Sequence, residues 1–149
     1  MVNLCCDKEG SCSFHLTDDD VQDLAVALPF LVALSLGRAC RFNACRTTVS
    51  SLLSISIHCL GLELLEIHFN TRTITGDIQR LLDEDSGRGK PRCKLRALRV
   101  GRLPLEVQDE QDIGTIATGF LDIFPSLKFF PIHCLNFGIW EELAYMLRN

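Results

Sequence analysis

The chain has 149 residues, 47% of them apolar and 23% charged, with a formal net charge of −4. This balance excludes a disordered or strongly basic polypeptide, and the length suits a single domain with room for a core. The longest uncharged run, between Arg46 and Glu63, carries Ser, Thr and His and is too short and too polar to cross a bilayer, and the run between Asp23 and Arg38 is broken by Pro29.

Met1–Gly10 has neither the basic start nor the apolar stretch of an export signal, so a cytoplasmic or nuclear chain is expected. The eight cysteines are then read as reduced thiols, several of them core residues, since Cys59, Cys93 and Cys134 lie in or beside apolar segments. The alternative is a small zinc-binding or regulatory protein using Cys5, Cys6, Cys12 and His15 as ligands. Against it, Cys5 and Cys6 are adjacent rather than separated by the two to four residues usual for a ligand pair. No metal or other cofactor is expected.

In chain order, residues 1–13 show no periodicity and read as a flexible lead-in. Thr17, followed by Asp18, Asp19 and Asp20, opens a helix: a hydroxyl can cap free amides and carboxylates favour the positive end of the helix dipole. Val21, Leu24, Ala25 and Leu28 follow at helical spacing, and Pro29 stops the helix before a strand at 31–36. A loop rich in Arg and Cys leads to Thr47 and Thr48 as caps of a second helix with Val49, Leu52, Leu53 and Leu60 on one face. Its Ser/Ile middle, 54–57, also fits a strand, but length favours helix. Gly61 ends it and 62–69 is the second strand.

A short third helix starts at Asp77 with Ile78, Leu81 and Leu82. After the turn-rich charged loop 83–94 comes a third strand at 95–100. The fourth helix carries Ile113, Ile116, Ala117, Phe120, Leu121 and Phe124. Pro125 stops it ahead of a fourth strand at 127–133, and 137–149 reads as a terminal helix with Trp140, Leu143, Ala144 and Leu147 apolar.

The strands share one pattern. Leu31/Leu34/Leu36, Leu62/Leu65/Ile67, Leu95/Leu98/Val100 and Leu127/Phe130/Ile132 hold the same three apolar positions at offsets of 31, 33 and 32 residues. Self-similarity at this period marks a repeat architecture, because one helix and one strand cannot bury their own apolar faces and must stack on a neighbour. The fold class expected is α/β: a short leucine-rich-repeat solenoid of about four helix–strand units over 14–136, with a parallel sheet on its concave side.

Residues between the leucines then point away from the core. In register they form the rows Val32, Glu63, Arg96, Lys128, then Ser35, Glu66, Arg99, Pro131, then Gly37, His68, Gly101, His133. Glu63 beside Arg96 and Glu66 beside Arg99 make cross-strand charge pairs that help fix register. The face reads as a solvated surface with self-complementary charges or as a ligand surface built from Glu63, Glu66, His68, Phe69, Arg96, Arg99 and Arg102. Seven of the fifteen basic residues lie between Arg88 and Arg102, yet acidic blocks flank them and the total charge is negative, so nucleic acid is not the expected partner. The four histidines fit no metalloprotease spacing, no nucleophile-elbow or phosphate-loop motif occurs, and no enzymatic activity is expected.

The segment Leu16-Thr17-Asp18…Leu24…Pro29-x-Leu31-x-x-Leu34-x-Leu36, echoed at Pro125-x-Leu127-x-x-Phe130-x-Ile132, resembles the leucine-rich-repeat region of fungal F-box/leucine-rich-repeat proteins. In that family an N-terminal F-box docks on the adaptor of a cullin–RING ubiquitin ligase and the repeats recruit the substrate. The resemblance implies a non-catalytic protein-interaction module whose partner is a protein substrate or scaffold, with neither nucleic acid nor membrane involved. Ubiquitin-ligase subunits follow as partners only with an F-box elsewhere, because the thirteen residues before Phe14 are too few for one and Leu103-Pro104-Leu105-Glu106 merely imitates its start. A stand-alone repeat scaffold is the remaining alternative.

Overall fold

A computed structural model describes residues 2–4, 16–36, 46–83, 93–100, 110–128 and 143–146. Its elements alternate: β1 (Val2–Leu4), α1 (Asp18–Ala27), β2 (Ala33–Leu36), α2 (Val49–His58), β3 (Leu64–Ile67), α3 (Ile74–Asp83), β4 (Ala97–Val100) and α4 (Glu110–Ile123). Residues 143–146 are also helical. The fold is mixed α/β, with a parallel sheet in the order β1-β2-β3-β4 and a helix in each of the crossovers.

The sheet register follows the sequence offsets. Leu34 pairs with Leu65 and Leu65 with Leu98, Ser35 with Glu66 and Glu66 with Arg99, Leu36 with Ile67 and Ile67 with Val100. All six apolar members of this set are at most 4% exposed. They meet Val21, Ala25, Leu52, Ile55, Ile78 and Phe120 from the helices in one core between sheet and helices. Along the helical side α1 packs on α2 and α3 on α4, with α2 touching both members of the second pair.

Each of the three strands that carry the leucine pattern begins two residues later than the pattern suggests, for a physical reason. The amides of Glu63 and Leu64 both donate to the carbonyl of Val32, at 2.9 and 3.2 Å, and those of Arg96 and Ala97 both donate to Glu63, at 2.9 and 3.1 Å. Two amides converging on one carbonyl kink the chain, so residues three apart (Leu62 and Leu65) both reach the core before strict alternation starts. The turns entering the strands repeat as well. The amides of Leu31, Leu62 and Leu127 bond the carbonyls of Leu28, Cys59 and Phe124 at 3.3, 3.1 and 3.0 Å.

Several elements differ from the sequence reading. Within the stretch read as a lead-in, Val2–Leu4 pairs in parallel with β2 as an edge strand; three residues are too few to show a period. Helix α2 ends at His58, so Leu60 is not on its buried face and is 48% exposed; Cys59, its C-cap, takes the core position. The Ser/Ile stretch is helical, with Ser51 and Ser56 buried alongside Ile55. Helix α3 begins at Ile74, three residues before Asp77, because Thr71 and Thr73 supply its first bonds: Ile74 N–H to Thr71 O, and Asp77 N–H to Thr73 O. On α4, Leu121 is 38% exposed and Ile123, not singled out by spacing, is buried. Of the fourth strand, Lys128 donates its amide to Arg96 O at 3.0 Å, and residues 129–133 lie outside the described residues.

Among the described residues no helix is long and apolar enough to cross a membrane.

Candidate functional site

The sheet face opposite the helices is built by the residues that alternate with the leucines. Its first row is a continuous backbone ladder: Glu63 N–H to Val32 O at 2.9 Å, Arg96 N–H to Glu63 O at 2.9 Å, and Lys128 N–H to Arg96 O at 3.0 Å. All four side chains of the row are exposed, while Leu62, Leu95 and Leu127 immediately before three of them are buried. Strong local pairing thus presents one apolar, one acidic and two basic side chains in a line.

The second row is different in character. Ser35 is only 1% exposed and its hydroxyl donates to Glu66 Oε2 at 3.1 Å. Arg99, next to Glu66 in the ladder, is half-buried, and its Nε is buried without a hydrogen-bond partner among the described residues. Glu66 thus takes a hydrogen bond from β2 while standing beside Arg99 of β4 in the register. Among the described residues Glu63 and Arg96 are neighbours through the backbone and form no ion pair with each other. The charges of the first row are thus available to solvent.

His68 is half-buried just past β3. Burial holds its imidazole below the ordinary 6.5, opposed by the nearby Glu66 carboxylate, which favours the charged ring. Phe69 is a correction. Expected on the ligand face, it is 0% exposed and belongs to the core, because it shares strand parity with Leu65 and Ile67. Arg102 lies outside the described residues, as do Cys5, Cys6, Cys12 and His15. Among the described residues no group of three or more His, Cys, Asp or Glu side chains is placed to hold a metal ion.

The two described thiols are core groups. Cys59 Sγ lies 3.7 Å from the carbonyls of Ala25 and Leu28, and one unit on Cys93 Sγ donates to Cys59 O at 3.2 Å and Leu62 O at 3.4 Å. Burial pushes the Cys59 thiol up to about 11 and raises Cys93 too, which makes both poor nucleophiles at neutral pH.

The structure brings Glu63, Glu66, His68, Arg96 and Arg99 onto one face over two adjacent strands. The sequence reading left Val32 and Lys128 out of the site although it placed them in the same row, and it passed over Phe30 and Lys94, both exposed just ahead of β2 and β4. The signal for all four was register: each stands at a fixed offset from a leucine that enters its strand. Compared with protein-family models, curated proteins and solved structures, the chain has no match in any of the three.

Proposed function

We propose that this chain is a non-catalytic protein-recognition module, a short leucine-rich-repeat solenoid of four helix–strand units that presents its sheet face to a protein partner. The observation that carries the reading is the ladder Val32–Glu63–Arg96–Lys128, four exposed side chains held at equivalent positions by consecutive backbone bonds. A regularly spaced row of mixed chemistry suits recognition of an extended segment, since its backbone is held by the ladder before binding and only side chains remain to be ordered.

The likeness of the Leu16–Leu36 and Pro125–Ile132 segments to F-box/leucine-rich-repeat proteins supports the role of substrate recruiter for a ubiquitin ligase, with the ligase contact made by an F-box elsewhere. The test compares proteins retained from cell extract by the native chain and by an Arg96→Glu/Lys128→Glu variant. Both residues are exposed, so the fold is expected to survive. A partner set lost in the variant, with an unchanged thermal melt, supports the module. An unchanged set places recognition elsewhere and removes the face from consideration.

A further inference from the structure

The exposed row is chemically polarised. At its β2 end Val32 is 57% exposed, and Phe30, in the turn two residues before it, is 92% exposed, so two large apolar groups are left in water. At its other end Arg96 and Lys128 are exposed cations, Lys94, two residues before Arg96, is exposed as well, and Glu63 stands between the two ends. The axis from Val32 to Lys128 crosses three ladder steps, about 14 Å at ~4.8 Å per strand, the length of four or five extended residues at ~3.3 Å each.

We propose that this row binds a short acidic peptide segment lying across the strands, its carboxylates over Lys94, Arg96 and Lys128 and an apolar side chain over Phe30 and Val32. The proposal rests on the recognition reading above and names the chemistry of the partner. Charge complementarity selects carboxylates at the basic end, where three cations sit without ion-pair partners among the described residues. Covering Phe30 removes apolar area from water, so an apolar residue is favoured at the other end. Glu63 repels a carboxylate placed over the middle of the row and so fixes the direction in which the segment lies. A polyanionic nucleic acid fits less well, since its even charge would meet Glu63 and leave Phe30 and Val32 without an apolar partner.

The experiment is fluorescence anisotropy with three labelled pools of eight-residue synthetic peptides. One pool has Asp or Glu at the first three positions and Phe or Leu at the sixth, the second lacks the apolar residue, and the third lacks the acids. The acidic–apolar pool is expected to bind with micromolar to sub-millimolar strength and to weaken as salt is raised. Arg96→Glu/Lys128→Glu should weaken it at least about tenfold, and Phe30→Ser about three- to tenfold and only for the pool carrying the apolar residue. Arg80→Glu, on α3, should leave binding unchanged.

No binding by about 1 mM overturns the proposal, as does equal binding of the three pools. Stronger competition by single-stranded DNA than by the peptide overturns it in favour of nucleic acid. A dimer in sedimentation that Phe30→Ser dissolves overturns it in favour of a second copy of the chain. If extract partners remain sensitive to Arg96→Glu/Lys128→Glu while the acidic–apolar pool fails, this partner chemistry is wrong and the recognition module stands. If both fail, the module falls with it.

Discussion

Asp18, in the first turn of α1, accepts both the backbone N–H and the hydroxyl of Thr48, each at 2.7 Å, and Thr48 is the N-cap of α2. The same carboxylate accepts the hydroxyl of the fully buried Ser51. One helix start thus ties down the next, thirty residues away. Asp20 serves α1 itself, closing a capping box in which Thr17 N–H donates to Oδ2 at 2.9 Å and Asp20 N–H donates to the Thr17 hydroxyl at 3.3 Å. Three adjacent aspartates in the sequence therefore divide their work.

Asp18→Ala is expected to cost about 2–3 kcal/mol, because it strands a buried serine hydroxyl and removes acceptors from the α2 cap. Asp18→Asn, which keeps one acceptor oxygen, should fall between. Asp19→Ala, at an exposed site, should stay within about 0.5 kcal/mol of the native chain. Urea unfolding of the three variants measures this. Equal losses for Asp18→Ala and Asp19→Ala would show that only the dipole of α1 matters.

Cys59 and Cys93 repeat a relation at the helix-to-strand turns, each thiol lying against carbonyls of the preceding unit. Both thiols are raised chiefly by burial, Cys59 from an ordinary 9.0 to about 11. Their neutral forms are therefore part of the folded state. The resulting stability is fully present below the ordinary 9.0 and is lost as pH rises toward about 11, because the unfolded chain ionises first. A Cys59→Ala/Cys93→Ala variant should lose less stability than the native chain over that window. At pH near 8 the two native thiols should react with a disulfide reagent at least about a hundredfold more slowly than in urea. Fast native-state labelling at either position, located by mass spectrometry, would contradict the burial.

Two glycines of α4 should respond with opposite sign. A Cβ on Gly119 would collide with Ile78 Cγ2 of α3 and come within 3.2 Å of Ile78 Cβ, whereas one on Gly114 meets nothing within 4 Å. Gly119→Ala is expected to destabilise by about 1–3 kcal/mol through overpacking, despite its better helix propensity. Gly114→Ala should stabilise by about 0.5–1 kcal/mol, the propensity effect alone. The Ile78→Ala/Gly119→Ala double variant should lose less stability than the sum of the two single variants, and strict additivity would mean that the helices do not meet through this pair.

What the sequence made legible follows from how locally each feature is encoded. Leu34, Leu65 and Leu98 align because three apolar positions recur at one spacing, and the register of β2, β3 and β4 came out of that spacing directly. The bond from Asp18 to Thr48 was invisible, since a carboxylate beside its own helix start has a sufficient local explanation in the dipole. Helix α3 starts early because Thr71 and Thr73, rather than Asp77, satisfy its first amides. Phe69 was misplaced on the ligand face, where its parity from Leu65 points it into the core. The polar rows were legible as positions, yet their burial was not, and Ser35 at 1% exposure against the exposed Glu63 shows how far two rows of one face differ.

His68 offers a probe of that face. Burial lowers its imidazole below 6.5 while the Glu66 carboxylate pulls it back up. As pH falls past 6.5 the unfolded chain takes the proton before the folded one, so the folded state loses stability from there down through the lowered folded-state value. His68→Gln should remove that part of the acid sensitivity and leave stability above pH 7 little changed. In the native chain, NMR of the His68 ring should show a midpoint below 6.5, and Glu66→Gln should move it lower still by removing a carboxylate that favours the charged ring. A midpoint above 6.5 would mean that the Glu66 carboxylate outweighs burial, and an upward move in Glu66→Gln would mean that Glu66 does not favour the charged ring.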